Sequence, residues 1–144
     1  MLKRTIAPFL QQTSTKFPIV TLIGPRQSGK STLSRALFHD YTYISLETPD
    51  HRELAHEDPR GFFQRFSGSL IIDEVQRVPE LLSYLQTEVD KPDNRKKFVL
   101  TGSQQLLLME KISQSLAGRT FIAKLLPFSY REIHQDLRAC LRSF

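Results

Sequence analysis

The stretch from residue 19 to residue 33 has the residue types and spacing of a phosphate-binding loop. Gly24, Gly29, Lys30 and Ser31 fit the pattern G-x-x-x-x-G-K-[ST], which follows a β-branched apolar run and precedes a helix-compatible run. A triphosphate needs many donors at close range. Glycines let a loop bring backbone N–H groups to it, while the following helix points its positive end at the anion. The pattern therefore predicts a triphosphate site.

Two side chains of this loop have predicted roles of their own. Lys30 is expected to reach the β- and γ-phosphates of ATP, and the Ser31 hydroxyl is expected to ligate Mg²⁺. The other candidate nucleotide-binding positions are Pro25, Arg26, Gln27, Ser28 and Thr32. Arg26 could contact phosphate or the Asp73 end of the sheet, and the sequence does not separate these two roles. The structural alternative is an ordinary glycine-containing turn, which the strand and helix context disfavours.

Residues 69–74 read as a continuous apolar strand that ends in two acids, a pattern typical of a buried parallel strand with its carboxyl end at a ligand site. Asp73 is the expected partner of Ser31 in holding Mg²⁺, through water, and Glu74 is expected to orient or deprotonate the attacking water. The alternative is a pair of charges that favours a helix dipole. The phosphate loop upstream favours metal and water chemistry.

Strands and helices alternate along the whole sequence. Apolar runs predict strands over residues 19–23, 41–46, 69–74, 98–103 and 120–125. Helix starts are indicated by Thr48-Pro49, by Asp58-Pro59 and by a capping box of Ser129 with Glu132, and Gly118 is expected to end a helix. This alternation predicts an α/β fold with a parallel sheet, in one domain of 144 residues.

Composition excludes several classes of protein. The chain has 20 Lys and Arg against 15 Asp and Glu, which gives a net charge of +5. This charge favours polyanionic partners, and binding of a nucleotide alone would account for it. Its single cysteine, Cys140, excludes an internal disulfide framework. The apolar stretch near the N-terminus, residues 6–10, is too short for a signal peptide or a membrane span. We therefore expect a soluble, cytoplasmic protein with no membrane partner.

Four motifs, in order, resemble the prokaryotic AAA-domain ATPases that carry a C-terminal domain of unknown function, the AAA_14 and DUF4143 pair. They are Gly-Pro-Arg-Gln-Ser-Gly-Lys-Ser from residue 24, Ile-Ile-Asp-Glu-Val-Gln-Arg-Val-Pro-Glu-Leu from residue 71, Leu-Thr-Gly-Ser-Gln from residue 100, and Leu-Ala-Gly-Arg-Thr from residue 116 followed by Leu-Pro-Phe-Ser-Tyr-Arg-Glu. The resemblance covers residues 2–133, nearly the whole chain.

The resemblance implies a P-loop NTPase fold, a three-layer α/β/α sandwich whose five parallel strands have the order 5-1-4-3-2. It also implies that Thr101 and Ser103 lie beside the γ-phosphate, where one of them is the polar sensor. Arg119 stands where related ATPases place an arginine finger that acts on a neighbour's nucleotide, which implies a homo-oligomer. A helix C-terminal cation is an equally good interpretation of Arg119. Gln76 is better explained as stabilising a turn.

The resemblance implies an Mg²⁺-dependent ATPase, and the departure from it lies at the C-terminus. Family members continue into a lid region and a second domain, so we expect residues 1–144 to be the ATPase core of a truncated or frame-shifted member, without those parts. A nucleotide-binding or protein-interaction module without turnover stays open as the alternative. The basic balance also permits a nucleic-acid-stimulated ATPase, although no aromatic-basic interleaving supports it. The protein partner is not indicated by the sequence.

Overall fold

Strands and helices alternate throughout the part of the chain that the computed structural model describes, residues 6–25 and 28–126. The strands are β1 (Ile19–Ile23), β2 (Thr42–Ser45), β3 (Leu70–Asp73), β4 (Phe98–Gly102) and β5 (Thr120–Lys124). The helices are α1 (Ala7–Thr13), α2 (Lys30–Leu37), α3 (Pro49–Glu57), α4 (Pro59–Arg65), α5 (Leu81–Asp90) and α6 (Leu106–Leu116), with a 3₁₀ turn at Val75–Arg77. The predicted alternation is confirmed.

All five strands are parallel and lie in the order β2-β3-β4-β1-β5. This is the order 5-1-4-3-2 that the resemblance implied, with β4 between β1 and β3. The strand β1 is therefore flanked on both sides, and Ile19 pairs with Phe98 of β4 and with Thr120 of β5. The segment that follows β1 consequently leaves the sheet between the ends of β4 and β5.

Helices cover both faces of the sheet, which gives the expected three-layer α/β/α sandwich. The larger core packs α3, α4, α5 and α6 against one face, around Phe62, Phe63, Leu82 and Leu100. The other face carries α1 and α2, with Leu10 and Leu33 among its buried residues. Because both faces are covered, β1, β3 and β4 are buried at every position and are mostly apolar rather than alternating.

Local signals fix most element boundaries. Asp58 caps α4, because its carboxylate accepts from the Gly61 N–H at 3.1 Å, whereas Thr48 holds the cap position of α3 without a side-chain bond. Gly118 follows α6 with a φ of 76°, in the left-handed region. The second, third, fourth and fifth strands each end one residue before the predicted limit. Helix α1 starts at Ala7, with Pro8 in its first turn.

Two predicted features lie outside the described residues: the capping box of Ser129 with Glu132, and Cys140. Within the described ranges, none of the helices has the length and apolar character needed to cross a membrane.

Replacing Phe63 by Ala should lower the free energy of unfolding by about 3–5 kcal/mol, because this ring is 1% exposed and packs between Phe62 and Phe98 at ring-centre distances of 5.4 Å and 5.9 Å. Urea denaturation followed by circular dichroism measures the change. Leu106→Ala is the control, since Leu106 is 89% exposed and its truncation should change stability by less than about 0.5 kcal/mol. Equal losses in the two variants would contradict the core assignment.

Candidate functional site

The carboxyl ends of β1, β3 and β4 lie side by side at one end of the sheet, and the predicted polar residues are located there. The loop with Gly24 follows β1. Asp73 is the last residue of β3 and is followed by Glu74, and Gly102 is the last residue of β4 and is followed by Ser103. Ligands of open α/β sheets bind outside the carboxyl ends of the strands. The sheet order, which puts β4 between β1 and β3, is what brings the loop and the acids together.

The first residue of the loop is confined on three sides. A Cβ added at Gly24 would lie 2.2 Å from the carbonyl oxygen of Leu125 and 3.2 Å from Oγ of Ser28. The Gly24 N–H donates to the Gly102 carbonyl at 3.3 Å, and the Leu125 N–H donates to the Ile23 carbonyl at 2.7 Å. Only glycine fits this position, because β4 and β5 both close on it.

The N-terminus of α2 offers free backbone donors. Gly29 precedes the helix in the left-handed conformation, with a φ of 86° and a ψ of 19°. No side chain in the described residues caps this helix, and its first turn has no acidic residue. The N–H groups of the first turn and the positive end of the helix dipole are therefore open to an anion.

Lys30 is held inside the loop. Its side chain is 6% exposed, and its ammonium donates to the carbonyls of Gly24 at 3.0 Å and Pro25 at 2.8 Å. An ammonium group has three N–H donors, so one remains for a phosphate oxygen. The hydrogen bonds to these two carbonyls keep the ammonium group at the N-terminus of α2 rather than in solvent.

Asp73 is the centre of the polar network. Its Oδ2 accepts from the Ser31 hydroxyl at 2.7 Å and from the Tyr43 hydroxyl, and its Oδ1 accepts from the Glu74 N–H at 3.0 Å and from the Thr101 hydroxyl. The carboxyl group is 4% exposed. These donors fill the acceptor sites of the carboxylate, and the hydrogen bonds offset the cost of its burial.

Tyr43 contributes to this network as a neutral donor. Burial, together with the hydrogen bond to Asp73, raises the pKa of Tyr43 to about 12. Its ring packs under the Arg35 guanidinium, whose central carbon lies 4.5 Å from the ring centre. The hydroxyl therefore keeps its proton at neutral pH and remains available to Asp73.

Glu74 has the backbone conformation of a strained residue. Its φ of 59° and ψ of 45° lie in the left-handed region, where an L residue other than glycine costs about 1–2 kcal/mol. Such conformations cluster at functional sites. The Glu74 carboxylate accepts from the side-chain amide of Gln76, whose own oxygen accepts from the Ser103 N–H at 3.2 Å.

The two candidate sensor residues have different hydrogen-bonding states. The Thr101 hydroxyl donates to Asp73, so it braces the acid. The buried Ser103 hydroxyl has no hydrogen-bond partner among the residues that the structure describes. Ser103 is thus the one of the two with a free group at this edge of the sheet.

These groups fit Mg²⁺ and a triphosphate. Hydroxyl and carboxylate oxygens, here of Ser31 and Asp73, are the ligand types that Mg²⁺ takes, and it keeps several waters rather than occupying a cage of protein ligands. The glycine cradle and the open N-terminus of α2 supply the donors that phosphates require.

The remaining loop candidates divide into three groups. Ser28 is buried beside Gly24, whereas Pro25 and Thr32 are exposed. Arg26 and Gln27 lie outside the described residues, so their predicted roles stay predictions.

Arg119 lies at the amino ends of the strands, whereas the phosphate loop lies at their carboxyl ends. Its carbonyl accepts from the Ile19 N–H, and the length of β1, roughly 13 Å at 3.3 Å per residue, separates it from the loop. Its guanidinium pairs with Asp90 through two bonds, from Nε at 2.7 Å and from the terminal nitrogen at 2.8 Å. Arg119 therefore cannot reach the phosphate site of its own chain.

Sequence reasoning missed two residues of this site. Tyr43 precedes the end of β2, and only the adjacency of β2 and β3 shows that its long side chain reaches Asp73. Gln76 lies in the 3₁₀ turn, and its amide also joins Glu74 to Ser103, which the turn interpretation does not include. Its position two residues after the acid pair was the available signal.

The sequence matches a known family and two longer relatives. Residues 16–134 match the family model described as an AAA domain. The uncharacterized proteins Rv2008c of Mycobacterium tuberculosis and Mb2031c of Mycobacterium bovis are each 35% identical to the chain over 134 residues, which cover 91% of it. The chain spans 30% of the length of each of these curated relatives.

Solved structures with the same fold are P-loop ATPases. The Walker-type ATPase paby2304 of Pyrococcus abyssi aligns with a TM-score of 0.65 and 22% identity, over 99% of this chain and 59% of that one. The P-loop NTPase domain of the sigma-54 transport activator from E. coli aligns with a TM-score of 0.56 and 19% identity, over 85% of this chain and 92% of that one. At these identities the likeness establishes the fold.

The Asp90–Arg119 pair should make stability depend on pH in acid. The hydrogen bonds from Arg119 lower the pKa of the Asp90 carboxyl, so the pair stabilises the folded state above the unfolded-state pKa, and this contribution is lost as the pH falls through the folded-state pKa. In Arg119→Ala the Asp90 pKa should rise towards the ordinary value of about 3.9, as carboxyl NMR titration measures. Arg95→Ala, at an exposed loop position, is the control. An unchanged Asp90 titration in Arg119→Ala would contradict the pairing.

Proposed function

We propose that this chain, which belongs to the family of AAA domains, binds ATP and hydrolyses it to ADP and phosphate in an Mg²⁺-dependent reaction. The observation that carries the proposal is the 2.7 Å contact between the Ser31 hydroxyl and Asp73 at the mouth of an uncapped helix. It joins the phosphate loop to the acid strand in the arrangement that Mg²⁺-nucleotide chemistry requires. We infer that the ATPase core occupies residues 1–144.

Binding rests on the loop from Gly24 to Ser31 and on the first turn of α2. The backbone N–H groups there, with Gly24 and Gly29 allowing close approach, hold the phosphates. Lys30 directs its third N–H at the β- and γ-phosphate oxygens while the carbonyls of Gly24 and Pro25 hold the other two. Among the loop residues that the structure describes, Lys30 is the buried cation.

Ser31 and Asp73 are the residues that would hold the metal. Bound there, Mg²⁺ would supply positive charge that offsets the negative charge developing on the phosphates. Asp73 keeps its orientation through Tyr43 and Thr101, whose hydroxyls fix both carboxylate oxygens. The Ser31 hydroxyl, which now donates to Asp73, can turn its oxygen to the metal without leaving the site.

Glu74 is the proposed general base. It follows the metal-binding Asp73 directly, and its left-handed backbone turns its side chain towards Gln76 and the end of β4. A carboxylate at this point can take a proton from water as the water attacks the γ-phosphate. Ser103, whose buried hydroxyl has no described partner, is the proposed polar sensor of the γ-phosphate, and Thr101 supports Asp73 instead.

Arg119 is proposed to act on the nucleotide of a second copy of the chain. The length of β1 separates it from its own loop, so it can serve only a neighbour, and it must leave Asp90 to do so. In that position a guanidinium stabilises the charge of the transition state. A homo-oligomer is therefore part of the proposal.

Lys30→Ala should weaken binding of Mg²⁺-ATP by one to two decades, because a hydrogen bond from a charged donor contributes about 1.5–3 kcal/mol. Isothermal titration calorimetry measures the dissociation constant. Lys16→Ala is the matched control, since Lys16 is an exposed lysine on the segment before β1, at the far edge of the sheet. Unchanged affinity in Lys30→Ala would refute the proposed phosphate site.

Glu74→Gln should keep the affinity for Mg²⁺-ATP within about threefold and lower the hydrolysis rate by about 10²–10⁴-fold, since an amide cannot take the proton. Phosphate release and calorimetry together separate the two effects. Glu80→Gln, at a carboxylate before α5, is the control for loss of one negative charge. Equal rates in wild type and Glu74→Gln would remove Glu74 from the reaction.

Tight binding with no phosphate release by the wild type would favour a nucleotide-binding module without turnover.

A further inference from the structure

The side-chain amide of Gln76 bridges two strand ends. Its nitrogen donates to the Glu74 carboxylate, at the exit of β3, and its oxygen accepts from the Ser103 N–H at 3.2 Å, at the exit of β4. Both strands end at the phosphate-binding edge of the sheet. One planar amide therefore joins the proposed base to the backbone of the proposed sensor.

The chemistry of this bridge requires an amide. The Ser103 N–H can only donate, so the oxygen of Gln76 faces it and the NH₂ group faces the carboxylate. A glutamate at this position could accept from Ser103 but could not donate to Glu74, and a lysine could donate but not accept. A neutral donor also binds one oxygen of Glu74 without supplying a cation, which leaves the second oxygen for a water.

Gly102 provides the space for the bridge. A Cβ at this residue would lie 2.9 Å from the Gln76 oxygen, 3.0 Å from a methyl carbon of Leu108 and 3.2 Å from one of Val75. The nearest of these atoms is the far end of a flexible side chain, so an added methyl group would displace the amide. The absence of a side chain at Gly102 therefore keeps Gln76 in contact with both partners.

We propose that Gln76 is a positioning residue of the ATPase reaction: it holds the Glu74 carboxylate for the attacking water and ties that position to Ser103. The inference rests on the proposed function, because it assigns a role relative to the base and the sensor. Since the Ser103 N–H and hydroxyl belong to one residue, the bridge links the proposed base to the residue proposed to contact the γ-phosphate.

A positioning role and a turn-stabilising role predict different kinetics. A residue that merely stabilises the 3₁₀ turn affects stability and leaves the catalytic rate of the folded protein unchanged. A residue that orients the base lowers kcat, because misplacement by about 1 Å costs up to 10²-fold, while the affinity for nucleotide stays the same.

The experiment compares kcat, KM and the calorimetric dissociation constant of Mg²⁺-ATP among full-chain variants. Gln76→Ala and the equally long Gln76→Glu should each lower kcat by about 10- to 100-fold with the dissociation constant within threefold. Gly102→Ala should do the same through displacement of the amide. Gln114→Ala is the matched control, because Gln114 makes a glutamine–glutamate bond to Glu110 at 3.4 Å on the exposed face of α6, and its kcat should equal that of the wild type.

The contact is also tested without hydrolysis, by a double-mutant cycle on unfolding equilibria. Glu74→Ala, Gln76→Ala and the double variant should give an interaction factor of about two- to tenfold in the unfolding constant. An interaction factor of one overturns the proposal.

Kinetic outcomes separate this inference from the proposed function. If the wild type hydrolyses ATP and Gln76→Ala matches Gln114→Ala in kcat, the role of Gln76 is overturned while the ATPase stands. If the wild type binds Mg²⁺-ATP and releases no phosphate, hydrolysis itself is overturned, and the role of Gln76 with it.

Discussion

A buried carboxylate that accepts every hydrogen bond it can is the constraint on which this site depends. Asp73 takes donors from α2, β2, β4 and its own strand exit, through Ser31, Tyr43, Thr101 and the Glu74 N–H. An uncompensated carboxylate at 4% exposure would be costly, so these four elements are held in register by the need to satisfy it. This one carboxylate therefore fixes the relative positions of the residues at the end of the sheet where nucleotide is proposed to bind.

Strain at Glu74 is explained by the same constraint. The residue after Asp73 must give its N–H back to the Asp73 carboxylate and then enter the 3₁₀ turn at once, and the left-handed conformation achieves both. The left-handed conformation of Glu74 costs backbone energy, and the hydrogen bonds around Asp73 offset that cost. The cost falls on the residue proposed to act as the base, where such conformations are commonly found.

The sequence was most informative where function resides in contiguous residues. The phosphate loop and the acid pair are local patterns, so the loop, α2 and the end of β3 could be predicted from spacing and strand composition. The strand order came from a family resemblance, because no local pattern states which strand lies beside β1. Tyr43, the bridge made by Gln76 and the pairing of Arg119 with Asp90 depend on side chains that meet only after the sheet has formed. Pairs separated by about thirty residues leave no periodic signal in one sequence.

The first glycine of the phosphate loop has a mechanical role as well as a chemical one. Gly24 is enclosed by the Leu125 carbonyl, and a bond from its N–H fastens it to Gly102, so its place is set by the two strands that flank β1. A glycine that motif analysis assigns to phosphate chemistry is therefore also required by packing. The exit of β5 at Leu125 thus limits residue 24 to glycine independently of any ligand, because the Leu125 carbonyl occupies the space that a side chain there would need.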